Sequence, residues 1–445
     1  MSLRDPFVFA IVFGSLPFIL RRPHVGVLMW VWISVMNPHR LAWSWAYNFN
    51  FAAIIAAVTL LSVAINKNQR RSIPFNSLTI ALLMFFGWTG VTSIFGFHPE
   101  DALVKWTEFL KTMIMALMIP MVIYRKEHVR QLLWVTLLSV AYYGTKGGVW
   151  VLLTGGGNRV WGPEQSYIYD NNALAVALVM MIPLLRYLQL TTTVRHVRWG
   201  LTAIMLLCGV SVIGSFSRGA LLAIGAMIVF FCWKTKRRLQ VMLILALAVP
   251  CVLAFMPKEW YARMDTIQTY EQDSSALMRL NAWGAAMNIA NDRPLVGGGF
   301  EMESGWIYQK YAPDPKWPPQ VPHSIYFQAL GEHGYVGLMF FLWLYFLFWR
   351  HAAKLIRMTR GRSQLEWAYH FGLMTQVSII PFLVGGAFLS LILFDVPYYI
   401  LMILLVIHRL VNEELSTAGT AETAVPRWRT YSTLSPPPST SATRG

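Results

Sequence analysis

The chain has 445 residues, 56% of them apolar and only 13% charged, with 37 lysines and arginines against 21 acidic residues for a formal charge of +16. A soluble globular chain carries roughly 25% charged and about 45–50% apolar residues, so a soluble enzyme, a disordered scaffold and a disulfide-stapled secreted domain are excluded. A β-barrel is disfavoured as well: its strands are segments of about ten alternating residues, whereas the apolar runs here approach the roughly 20 residues that cross the hydrocarbon of a bilayer as helix.

Taken in chain order, apolar runs fall near 4–20, 24–36, 48–66, 78–96, 103–123, 129–152, 170–189, 199–214, 219–233, 239–256, 324–349, 367–391 and 393–410. They predict an all-α polytopic membrane protein with about 12 transmembrane helices, or 13 if the two short first runs are separate helices rather than one broken element. Every second break is basic: Arg21 and Arg22; Lys67, Arg70 and Arg71; Arg125, Lys126 and Arg130; Arg186, Arg195 and Arg198; Lys234, Lys236, Arg237 and Arg238; and Arg350, Lys354, Arg357, Arg360 and Arg362. Positive charge is retained on the cytoplasmic side, so these breaks are expected there. The segments 37–47, 97–102, 153–169, 215–218 and 257–323 are then expected on the outer face. The tail after Val411, rich in Ser, Thr and Pro, reads as disordered and cytoplasmic. No small-residue cleavage site follows Leu20, so no cleavable signal peptide is expected. Cys208, Cys232 and Cys251 lie inside apolar runs and fit neither a disulfide framework nor a zinc site.

The chain divides into N-terminal transmembrane helices at 1–204, a second helical group at 205–256, one long outer loop at 257–323, C-terminal transmembrane helices at 324–411 and the tail at 412–445. The long loop is close to neutral in charge. Its first part, with Tyr261, Ile267, Tyr270, Leu277, Leu280, Trp283 and Met287 among polar residues, predicts one or two amphipathic helices at the membrane surface. Its second part, from Gly297 to Pro319, reads as Gly/Pro/aromatic loop. The glycine runs Gly155 to Gly157 and Gly297 to Gly299 lack the Lys-Ser/Thr or strand context of a phosphate loop and read as flexible turns. With no outer Asp-x-Asp pair to hold a divalent ion against a sugar phosphate, metal-independent chemistry is expected.

The outer face carries a few cations and one well-placed histidine. Arg218 sits in an almost loopless turn between two apolar runs, Ser215 to Ala220, at or just below headgroup level. An arginine there costs a few kcal/mol without a partner or a water-filled cavity, so beyond a snorkelling anchor it is a functional candidate. Arg159 lies on the same face; Arg263 and Arg279 in the long loop are weaker individually, since an arginine on an amphipathic helix is commonly only its solvated side. Together they suit an anionic group such as a diphosphate, whose oxygens match the arginine fork. His323 stands at the first turn of a predicted outer helix start, where an imidazole is a competent general base or simply a polar helix start. Glu332, about 15 Å deeper on the same helix, is a candidate buried partner for an arginine.

Three of these motifs, Ser215 to Ala220, Arg279-Leu-x-x-Trp283 running on to Asp292-Arg-Pro-Leu-Val-Gly-Gly-Gly-Phe300, and Pro322-His323-Ser-x-x-x-Gln328-x-x-x-Glu332-x-Gly334, resemble in order and spacing the O-antigen ligase and polymerase superfamily over about 205 to 350. Ser324 departs from the Asn that many members carry after the histidine. The first hundred-odd residues, including Asn37-Pro38-His39-Arg40, resemble the N-terminal region of exosortase-associated O-glycosylation ligases.

The resemblance implies a multi-pass enzyme of the bacterial inner membrane with its active site facing the periplasm and its C-terminus in the cytoplasm. It would be an inverting glycosyltransferase using no cofactor, metal, nucleotide sugar or nucleic acid. The donor would be a glycan on undecaprenyl diphosphate and the acceptor a hydroxyl of the lipid A core, both presented among membrane lipids. His323 would deprotonate the acceptor, Arg218, Arg159, Arg279 and Arg263 would hold the diphosphate, and Glu332 and Gln328 would support them. A polymerase or a protein O-oligosaccharyltransferase of the same superfamily would use the same donor. A lipid or polysaccharide transporter, from a different class, would be expected to show repeated halves and charged or broken helices near the midplane.

Overall fold

The structure, a computed structural model, describes residues 4–235, 238–265 and 274–423. Those residues form helices and no strand: α1 Arg4–Arg21, α2 Pro23–Val31, α3 Phe51–Ile65, α4 Ser77–Ile94, α5 Pro99–Val122, α6 Lys126–Thr154, α7 Asn171–Thr191, α8 Arg195–Ile213, α9 Arg218–Lys234, α10 Arg238–Phe255, α11 Lys258–Asp265, α12 Ser274–Asp292, α13 Gly305–Tyr311, α14 Ile325–Thr359, α15 Glu366–Gly386 and α16 Asp395–Thr423. Each predicted apolar run is a helix. By length and apolar composition 6 of them can cross a membrane: α4, α7, α8, α14, α15 with its preceding turn, and α16.

Local chemistry sets the boundaries. Pro23 and Pro99 open α2 and α5, at positions whose missing N–H would be unpaired anyway. Side chains of Asn50, Asn76, Asp170, Ser217 and Ser324 accept the first free N–H groups of α3, α4, α7, α9 and α14. Gly155 ends α6 in the left-handed conformation. The two short first runs are separate helices that break at Arg22 and Pro23, and α2 continues as a π-helical turn through Met36.

Helix α7 and the apolar first part of α16 are enclosed by protein, whereas α8 keeps most of its surface outward. α7 packs against α6, α8, α9 and α15, and α16 against α5 and α14. Polar ties cross the apolar interior: Trp30 donates to Tyr399 Oη at 3.0 Å and Ser378 to the Met180 carbonyl at 2.7 Å.

Between α10 and α14 the chain is more helical than expected. α12 packs along α14, with Ala286 against Gly331 and Phe327 beside its cluster, and Ala282 and Ala285 pack on Tyr308 of α13, which occupies part of the stretch read as loop. Asn281 pairs with the Asp314 backbone at 2.8 and 3.0 Å, and Asn288 donates to the Tyr311 carbonyl at 2.8 Å, which staples the following segment onto α12. Ile267 and Tyr270 lie outside the described residues. The expected disordered tail begins as helix, since α16 continues to Thr423, with Glu414 paired to Lys126; residues 424–445 lie outside the described residues.

Candidate active site

Two segments flank His323, and a third is tied to one of them. The first is α12, where Arg279 and Trp283 stand one turn apart and therefore share a face. Trp283 Nε1 donates to the Pro322 carbonyl at 2.6 Å, and its ring stacks on Phe327 at 4.9 Å. The Arg-x-x-x-Trp spacing thus grips the residue before the histidine and brings Arg279 beside it. His323 itself has φ of 46°, a left-handed backbone uncommon for a residue with a side chain, and Ser324 then caps α14.

The second segment is the start of α7. Asp170 caps that helix, accepting from the Asn172 and Ala173 N–H groups at 2.9 and 3.3 Å, and also lies within electrostatic reach of His323. The neighbouring Asn171 donates to the Ser215 carbonyl at 2.6 Å, which holds the third segment, the turn from Ser215 to Arg218, against the start of α7. Phe216 takes φ of 60° there, and Ser217 caps α9, of which Arg218 is the first residue. Phe388 lies between the two parts: its ring is 6.3 Å from Trp283, and a Cβ on Gly219 would meet Phe388 at 3.5 Å.

Burial, and then the Arg279 charge, push the His323 pKa below its ordinary value, while Asp170 opposes both. A half-buried imidazole thus has a guanidinium and a carboxylate within electrostatic reach. Arg218 and Arg279 are also half-buried.

The other candidates are distributed differently. Arg263 is on α11, which docks on the Arg218 turn by Trp260 donating to the Ile213 carbonyl at 3.2 Å and by Trp260 and Met256 packing on Phe216; the Arg263 side chain lies outside the described residues. Arg159 is exposed in the α6–α7 loop. It lines a separate cavity of about 590 Å³ with Arg40, Lys146, Trp150 and Trp161, and among the described residues no other candidate lines that cavity. Glu332 is buried, but its neighbours are Gln328, whose Nε2 donates to Oε1 at 3.1 Å, and His333 Nε2 at 3.6 Å from Oε2, in place of the expected arginine.

Sequence reasoning missed Asp170. Its signal was an Asp-Asn-Asn start to an apolar run, which reads as a helix cap and performs that role as well.

The glycine run at 297–299 is no flexible turn. Helix α14 breaks at Gly334, with φ of 69°, and the Gly298 and Gly299 N–H groups donate to the freed carbonyls of Gly331 and Glu332 at 2.7 and 2.8 Å. A Cβ on Gly297 would lie 2.5 Å from the Gly331 carbonyl oxygen. The motifs Gly-Gly-Gly-Phe and Glu-x-Gly are therefore two halves of one backbone joint below His323.

Residues 203–342 match the family model described as O-Antigen ligase, and residues 3–193 match a family of unknown function (DUF5935). No curated protein matches the chain.

Proposed function

We propose, from the match of residues 203–342 to the O-antigen ligase family model, whose members are membrane glycosyltransferase-like enzymes, that the chain is an O-antigen ligase. In this reading it moves a glycan from undecaprenyl diphosphate to a hydroxyl of the lipid A core, on the periplasmic face of the inner membrane, with no metal or nucleotide sugar. The observation that carries the reading is the meeting of His323 with Arg279 and Asp170 at the point where the Arg218 turn is tied to α7.

The chemistry follows from that arrangement. An acceptor hydroxyl attacks the anomeric carbon as the bond from that carbon to the diphosphate oxygen breaks, and the configuration inverts. The hydroxyl proton passes to the neutral His323 imidazole, which Asp170 stabilises once charged. The departing diphosphate gains negative charge, which fixed guanidinium groups at Arg279 and Arg218 offset more effectively than water would. Arg263, carried on the helix docked against the Arg218 turn, is assigned to the same anion. Arg159, in its separate cavity, is assigned to the donor's approach along the membrane surface.

The proposed topology is supported by which loops touch. Segments expected outside contact one another: Phe97 with Gly298, His98 with Ser304, Tyr47 with Glu164 and Asn171 with Ser215. At the other end, the breaks expected inside meet each other or the inner ends of neighbouring runs: Gln69 with Arg21, Arg71 with Met121, and Arg409 with Ser72 and Pro120.

The test is a strain lacking the gene, complemented with the wild type or with His323→Ala. The wild type should restore long O-chains on the lipid A core; the variant should insert at normal levels and leave the glycan on its polyprenyl carrier. O-chains attached normally by the variant would remove His323 as the base, and carrier-linked single repeats in the null strain would indicate a polymerase instead.

A further inference from the structure

A second cavity, of a different character, is bordered by the chain segments that lead into His323 and Asp170. It has a volume of about 170 Å³, and its lining includes Lys105, Tyr167, Glu303, Gln328, Glu332 and Ser390. Two segments connect it to the proposed active site: Val321 borders it two residues before His323, and Tyr167 borders it three residues before Asp170. Through Lys105, Glu301 and Glu303 it adjoins an outer cleft of about 400 Å³ that also takes in His98, Asp101 and Glu108.

Several of its polar atoms make no hydrogen bond, although His333 Nε2 lies 3.6 Å from Glu332 Oε2. Glu332 Oε2, Gln328 Oε1 and Ser390 Oγ are buried without a hydrogen-bond partner, and Glu332 and Gln328 are only 3% and 8% exposed. Buried polar atoms are ordinarily satisfied, and the cavity is far larger than the roughly 15 Å³ that admits one water. Its charge is equally pointed. Lys105 is drawn to Glu301 at 3.5 Å and Glu108 at 3.7 Å, while Glu303 and Glu332 have no lysine or arginine partner among the described residues. Burial, with Glu301 adding to it, pushes the Glu303 carboxyl up to about 7. The cavity offers a phosphate no guanidinium and only a lysine already engaged by Glu301 and Glu108, so the diphosphate belongs with the arginines. A sugar ring suits it: carboxylate and amide oxygens accept from adjacent hydroxyls, Ser390 can donate or accept, and Tyr167 and Phe300 supply apolar faces.

We propose that this cavity is the acceptor-sugar subsite, taking a non-phosphorylated sugar ring, neutral or amine-bearing, and presenting its hydroxyl to His323. This rests on the ligase reading for the word acceptor, and on the cavity alone for the sugar. Glu332, Gln328 and Glu303 are then binding residues, not supports for the arginines.

The experiment measures binding of three probes, methyl glucoside, glucosamine and glucose 6-phosphate, to the full-length protein in lipid nanodiscs by saturation-transfer NMR. The first two should bind and the third should not. Glu303→Gln should weaken binding about tenfold, the scale of one hydrogen bond to a charged group. Glu332→Gln, which keeps the shape, should do the same, and His323→Ala should leave binding in place. If Glu332→Gln fails to fold, the outer Glu303→Gln carries the test alone. Glucose 6-phosphate binding as well as the others, no sugar binding at all, or unchanged binding in folded Glu303→Gln would overturn the proposal, the second outcome meaning that the cavity holds water only. Because no donor is present, the two readings separate: sugar binding without glycan transfer removes the ligase reading and keeps the subsite, and transfer without sugar binding does the reverse.

Discussion

His323 acquires its chemistry from neighbours that are remote in sequence. Its left-handed φ is held by Trp283 on the preceding carbonyl and by the Ser324 cap, and its charge state by burial, Arg279 and Asp170. Because burial and Arg279 lower its pKa, the base is neutral at pH 7, and activity falls only when the pH drops below the ordinary histidine value of about 6.5. Removing Arg279's charge removes a lowering influence, so Arg279→Gln should move the acid limb of the pH profile upward. Asp170→Asn removes a raising influence and should move it downward. Both limbs are read from the initial rate of glycan transfer against pH, and a shift in the same direction for both variants would break the assignment. The histidine was legible in the sequence because it is a polar residue at the edge of an apolar run, and Arg279 only through its spacing to Trp283 in a family motif. Asp170 was not, since a helix cap and a partner for an imidazole require the same side chain at the same place.

The next level is the joint between α14 and the segment from Asp292 to Phe300. Gly334 has φ of 69°, and a Cβ there would come within 2.4 Å of the Leu295 carbonyl oxygen. Both the backbone and the space forbid a side chain, so Gly334→Ala should cost about 3 kcal/mol, the upper end for a strained backbone position. Gly157 has nothing within 4 Å and no left-handed backbone, so Gly157→Ala should change stability by less than about 0.5 kcal/mol. Unfolding of the two purified variants in detergent compares them directly; equal stability would mean that the joint does not bear on the fold. Gly334→Ala should also disturb transfer, because the turn of α14 above the joint carries Gln328 and Glu332. Helix positions were readable from apolar periodicity and caps, but this joint was not. Its partners are backbone atoms more than thirty residues apart, and a run of glycines looks alike in sequence whether it is loose or tightly fitted.

At the scale of the whole molecule, the region matched to O-antigen ligases is not a body of its own. α14 packs on α4, which lies in the N-terminal region of unknown function, and Trp88 Nε1 donates to the His333 carbonyl at 3.1 Å beside the joint. The Asp170 that faces His323 also comes from that region. The N-terminal half therefore supplies a wall of the proposed site, and the direction in which its helices run decides which loops can reach His323. Basic breaks predict that direction: of the +16 formal charge, the excess lies mainly in the breaks expected inside, among them those that meet around Arg409 and Arg71. The two ends of the bundle separate on that basis. Asp5 accepts from the Ala46 N–H at 3.1 Å, which puts the start of α1 with the loops of the His323 end, and α16 ends beside Lys126 at the other. Reporter fusions test the assignment at both ends. Alkaline phosphatase, active only outside, should be active when joined after Gly157 or Tyr311 and inactive after Gln69 or Gly361. A fluorescent protein that matures only inside should give the opposite pattern. Phosphatase activity after Gln69, or fluorescence after Tyr311, would reverse the orientation and move the proposed site to the cytoplasmic face, where a periplasmic glycan donor cannot reach it.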